Sequence, residues 1–220
     1  MYSSLRRSAA WPAVAGFVLV AGLGLVGARA ARAQERPFPI EATLAAGAAV
    51  PAGGLADISS TGVAVDGAVL YRFLPSFAVR AGLGADMLDG TADAFGNLFP
   101  SLSLLHVTIG IRADLPRPRW QSVPLTTSLD LGVGLTRMDA DQQDVTGPVG
   151  QFTKTYPAAT GGLRIGWQFG RHIEVFGQGR TYLTLGDRDE LRVFSDHSPE
   201  VGDLRTLWSF PITLGVRVSM

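Results

Sequence analysis

Trp208-Ser209-Phe210-Pro211-Ile212-Thr213-Leu214-Gly215-Val216-Arg217-Val218-Ser219-Met220 closes the chain and alternates without a break. Trp208, Phe210, Ile212, Leu214, Val216, Val218 and Met220 share one parity, and the residues between them are small, polar or charged. In an extended chain successive side chains point to opposite faces, so this run predicts a strand with one apolar and one polar face.

The same period recurs upstream at about 39–50, 62–73, 76–87, 101–114, 123–137, 155–169 and 172–185. In the fifth of the eight, Leu129, Leu131, Val133 and Leu135 alternate with Ser128, Asp130, Gly132, Gly134 and Thr136; in the sixth, Leu163, Ile165, Trp167 and Phe169 alternate with Arg164, Gly166 and Gln168. Each run reaches the ~9 to 11 residues that a tilted membrane-spanning strand needs. Connection lengths also alternate. Short turns fall at Leu74-Pro75-Ser76, Pro116-Arg117-Pro118 and Gly170-Arg171-His172, and longer segments at 51–61, 88–100, 138–154 and 186–206. The pattern predicts an all-β fold, an eight-stranded antiparallel up-and-down barrel with both termini at the short-turn end.

Which face points inward follows from the polar parity. Gly, Ala, Ser and Thr dominate it, with only occasional charges, which suits the crowded interior of a barrel this narrow. The apolar parity then points outward, where lipid is the favourable surrounding, since closure satisfies the backbone without water. A soluble ligand-carrying barrel would invert both faces. Trp167, Phe169, Trp208, Phe210 and Tyr182 are candidates for the aromatic belts of a membrane barrel.

Residues 1–33 read as a cleavable secretory signal: Arg6 and Arg7 begin it, Pro12 to Val26 is apolar, and Ala31-Arg32-Ala33 offers a small-x-small cleavage site. The barrel domain is then 34–220. The 220-residue chain carries 19 basic and 19 acidic side chains, but four arginines lie in the signal, so the mature charge is near −4 and nucleic acid is not an expected partner. Lys154 is the only lysine, few for a surface exposed to water. The absence of cysteine excludes disulfides and thiolate chemistry.

With its export signal, eight alternating strands, alternating loops and amphipathic terminal strand, the chain resembles the small bacterial outer-membrane β-barrels, OmpA-like and OmpW-like, over the whole mature region. The resemblance is architectural. It implies residence in the outer membrane, contact with lipid, insertion by the barrel-assembly machinery, a monomeric state and loops exposed outside the cell. Such families usually end on an aromatic residue; this chain ends on Met220.

An inward polar parity puts Glu41, Asp66, Arg72, Arg80, His106, Arg112, Asp130, Arg164, Glu174, Arg180 and Arg217 in the lumen. Buried charges must be paired or hydrated. Glu41 and Arg217 should meet where first and last strands close; Arg164 and Glu174 come within diagonal reach, and His106 could face Asp130. The network reads as a structural plug more readily than as a gate. Elsewhere, Asp139, Asp141 and Asp144 lack the glycine and distal glutamate of a calcium loop, and Ser195-Asp196-His197-Ser198 crowds triad residue types into adjacent positions, which rarely bring nucleophile, base and orienter into line. Ser103 and His106 face opposite ways. No cofactor, metal or catalytic residue is expected. The chain reads as a non-enzymatic structural or surface-interaction barrel; a narrow channel for small or hydrophobic solutes and a lipid-modifying enzyme are the alternatives.

Overall fold

A computed structural model describes residues 39–91, 101–116, 124–140, 152–170, 172–186 and 205–220; the segment read as a signal lies outside them. The strands are β1 (Ile40–Gly53), β2 (Gly62–Leu74), β3 (Phe77–Leu88), β4 (Leu102–Asp114), β5 (Leu125–Ala140), β6 (Phe152–Phe169), β7 (Ile173–Leu185) and β8 (Thr206–Ser219). Each pairs antiparallel with its sequence neighbours, and β8 returns to β1, so the sheet is a closed eight-stranded barrel. Following partners around the wall from Glu41 through Leu70, Arg80, Gly110, Gly132, Thr160, Tyr182 and Ser209 arrives at Pro51, ten residues further along β1. That stagger is what closes tilted strands into a cylinder. Between Gly179↔Ile212 and Tyr182↔Ser209 the β7–β8 pairing skips Arg180 and Thr181 without a change of register, beside Pro211, which has no N–H to donate.

The wall is apolar outside. Leu44, Val69, Leu83, Ile109, Val133, Ile165, Ile212 and Leu214 are among the large apolar side chains that stay exposed, Leu214 at 74 %. A band of this kind around a closed sheet has no stable home in water and a favourable one in lipid. Aromatic contacts mark its margins: Phe73 with Phe77 and Trp167 with Phe169 at the turn end, Trp208 stacked on Phe210 at the opposite, loop end. Tyr182 is a correction. It is buried in the lumen, because it shares parity with Glu174 and Arg180.

A second correction concerns the segment 138–154. Pairing continues through Met138↔Lys154 to Ala140↔Phe152, so both ends of that expected loop belong to β5 and β6. The alternation does not stop there; it changes sign. Met138 and Ala140 point inward and are buried, while Arg137 is exposed outside, ion-paired with Asp139. Beyond the lipid band this part of the barrel is built like a soluble protein, apolar inside and polar outside.

The segment 51–61 is likewise not all loop. β1 runs to Gly53, whose positive φ of 61° turns the chain into a short helix, α1 (Gly54–Ile58). Leu55 and Ile58, three apart on one face, are buried with Ala49, Ala64, Leu88, Leu102, Leu104, Met138, Tyr156 and Leu207. This cluster closes the lumen at the loop end.

The band predicts a sharp asymmetry. Leu214→Arg should destabilise the barrel in lipid by about 2–4 kcal/mol, the cost of a cation near the bilayer midplane; urea titration in liposomes, with the heat-dependent gel shift as the check on folding, measures it.

The barrel lumen as candidate functional site

Alternation delivers one inward side chain every second residue from all eight strands, and the stagger sorts them into levels. At the turn end Glu41 is fully buried and accepts from Arg72 Nε at 3.1 Å and Nη2 at 2.9 Å; Arg217 Nη1 lies 3.4 Å away. Arg72 also reaches Asp114 at 2.9 Å and the Pro75 carbonyl at 2.8 Å. Arg217 makes a short bond to Glu174, which also accepts from Thr126 at 2.8 Å. Five strands thus meet at two carboxylates.

The middle level is a continuous ladder. Arg112 grips Asp130 with both arms, Nε at 2.7 Å and Nη2 at 2.9 Å, the fork geometry that makes guanidinium–carboxylate pairs strong. Arg180 bridges Asp130 at 3.3 Å and Asp66 at 2.6 Å. Asp66 accepts from Arg80 at 3.0 Å and from Tyr182 at 3.3 Å, and Arg80 continues to Thr108 at 3.0 Å. Glycines hold the space. A Cβ on Gly82 would stand 2.3 Å from Arg80 Nη1, and one on Gly215 would stand 2.6 Å from Phe176 Cζ.

Nearer the loop end Asp86 and His106 are buried together. His106 Nε2 is 3.2 Å from Asp86 and Nδ1 is 2.9 Å from the Thr136 hydroxyl, which accepts from Thr184 at 3.1 Å; Ser209 donates to Asp86. The imidazole stacks flat on Tyr182, with centroids 3.8 Å apart. Acid, imidazole and hydroxyl stand in catalytic order, but Thr136 and His106 are fully buried beneath the apolar cluster, so no substrate reaches the hydroxyl. The arrangement ties β3, β4, β5, β7 and β8 together.

Every residue read into the lumen is inside it, in pairings that alternation alone does not fix. Glu41 meets Arg217. His106 faces Asp86, not Asp130, whose oxygens are occupied by Arg112 and Arg180. Arg164 and Glu174 form no pair: Glu174 belongs to Arg217 and Thr126, while Arg164 donates to Gln178 at 3.2 Å and lies 3.5 Å above the Phe176 ring. Asp86 is a lumen acid that the sequence reading omitted, although it shares parity with Arg80. Asp114 is another, at the rim. Asp139 sits outside, where Thr153 donating at 2.7 Å, and then Arg137, hold its carboxyl below the usual range. Asp141, Asp144 and Ser195 to Ser198 lie outside the described residues. Ser103 is exposed and His106 buried, so they do face opposite ways.

No family model matches the chain, and no curated protein matches it. Solved structures do. The chain is similar to the crystal structure of neisserial surface protein A, with 12 % identity, 83 % of this chain and 97 % of that one covered, and a TM-score of 0.57. It is also similar to a major outer membrane protein from Thermus thermophilus, with 14 % identity, coverage of 82 % and 99 %, and a TM-score of 0.52. These likenesses establish the fold, that of a small outer-membrane β-barrel.

Because Asp130 serves two arginines, Asp130→Asn should cost about 3–5 kcal/mol, the penalty for breaking a buried pair. Asp139→Asn, at an exposed pair, should stay within about 0.5 kcal/mol. Urea unfolding followed by tryptophan fluorescence compares them.

Proposed function

We propose that this chain resides in the bacterial outer membrane as a monomeric, non-conducting barrel that carries a binding surface on the segments joining its strands at the loop end. The supporting observation is the filling of the lumen at two levels. The ion-paired ladder crosses its middle, and α1 with its apolar neighbours covers its loop end. An eight-stranded wall leaves little room beyond its own side chains, and here those side chains are bonded to one another across the bore.

The ladder serves as anchor and stiffener. The apolar band sets depth in the membrane, the aromatic pairs mark its margins, and the short turns share one end of the barrel with the start of β1 and the close of β8. An outer-membrane barrel inserted by the assembly machinery keeps that end in the periplasm, so the loop end faces outward, where a ligand or another cell surface is met. The burial of Thr136 and His106 argues against the lipid-modifying alternative.

Planar-bilayer recording of the purified barrel should show no stable open level; resolved, persistent conductance steps would overturn the closed lumen and favour the narrow channel. A peptide tag inserted at Ser195 should be accessible to antibody on intact cells. Detection only after permeabilisation would reverse the orientation.

A further inference from the structure

Six arginines and six carboxylates line the lumen among the described residues. Arg72, Arg80, Arg112, Arg180 and Arg217 each lie within ion-pair distance of Glu41, Asp66, Asp114, Asp130 or Glu174. Asp86, the remaining lumen acid, is taken by His106 and Ser209. Arg164 is the sixth arginine, 1 % exposed, and among the described residues it has no carboxylate within that distance. Its Nη2 is bonded to Gln178, while Nε and Nη1 are buried without a hydrogen-bond partner. A buried guanidinium left this way is costly.

Its surroundings are rich in donors. Arg112 Nη1 and Thr213 Oγ1 are also buried without partners. The register sets Arg164 beside Gln178 and Gln178 beside Thr213 on consecutive strands. On the other side, Arg112 stands opposite Asp130 and Arg164 opposite Ser128, so the two arginines lie diagonally across β5. Phe176 packs against the face of the Arg164 guanidinium and leaves its edge to make polar contacts.

We propose that a small monovalent anion, of halide size, is bound in the lumen at the Arg164 edge, held by Arg164 Nε and Nη1 with Arg112 Nη1 and Thr213 Oγ1 as further donors. A buried guanidinium with no carboxylate in ion-pair distance calls for a negative partner, and a set made up mostly of N–H donors selects an anion over a cation. The space among packed strands calls for a compact one. The competing arrangement is a water bridge from Arg164 to Glu174 Oε1, an acceptor that is also buried without a partner. The proposal concerns the lumen alone and is independent of what the loop end binds.

The mature barrel in detergent is heated on semi-native gels in potassium chloride and in potassium gluconate at one ionic strength. Chloride should raise the unfolding midpoint by about 3 °C or more, saturating with concentration as a bound ligand does. Arg164→Gln removes the guanidinium that calls for the anion; its midpoint should be the same in both salts and, in gluconate, no lower than that of the unaltered protein. Crystals of the unaltered protein grown in bromide supply a readout that needs no variant, with an anomalous peak within hydrogen-bond distance of Arg164. A midpoint indifferent to the anion, or bromide found only outside the lumen, would overturn the site and leave the water bridge in its place.

Discussion

A guanidinium cannot be left alone where bulk water does not reach, and this barrel encloses six of them. For five of them the solution is sharing. Asp130 binds Arg112 in a fork and still reaches Arg180; Arg180 passes on to Asp66, and Asp66 to Arg80. Asp130 and Asp66 each pair with arginines from two strands, so the ladder holds only as a whole, and the wall must keep its register to keep it. The glycines follow from the same need: the lumen has room for Arg80 and Phe176 because Gly82 and Gly215 carry no side chain. The apolar exterior follows in turn, since a wall with its charges inside must be covered by something that does not compete for them.

Much of this is legible in the sequence, because a period of two separates inside from outside and eight such runs with alternating connections leave few topologies. Asp66, Arg112, Asp130 and Arg180 are placed inside by parity alone. Partner choice is not legible, because it depends on the stagger, which sets residues far apart in sequence at one level. His106 illustrates this: parity puts it in the lumen, but only the register sets it beside Asp86 and away from Asp130. With Tyr182, parity had the answer and residue type obscured it, since a tyrosine in a membrane barrel suggests the belt. The strand ends were lost for a different reason. Around Arg137 and Met138 the apolar parity crosses from the outer face to the inner one, so a reading that followed apolar residues outward ended β5 too soon.

That crossing divides the barrel into two regimes along its axis. Near the turns and through the middle, polar chemistry is inside and lipid-compatible chemistry outside, and order comes from directional ion pairs. Toward the loop end Leu55, Ile58, Leu104 and Met138 form an ordinary apolar core, held by burial from water. The two stabilising mechanisms respond to different agents: charge substitution strikes the ladder, cavity-forming substitution the core. His106 stands at their junction, bonded to Asp86 and stacked on Tyr182, which donates to Asp66 of the ladder.

Glu41 has a consequence for how the barrel forms. It accepts from Arg72, a hairpin away, and from Arg217, 176 residues later in the chain. The first contact is available as soon as β1 and β2 pair. The second waits until the whole sheet has curled round, and closing so long a span is entropically slow. Until then β1 and β8 are two open sheet edges, each with unmet backbone groups that lipid cannot satisfy. The Glu41–Arg217 seam is therefore the last part of the wall to exist, and whatever escorts the chain into a bilayer must cover those two edges until it does.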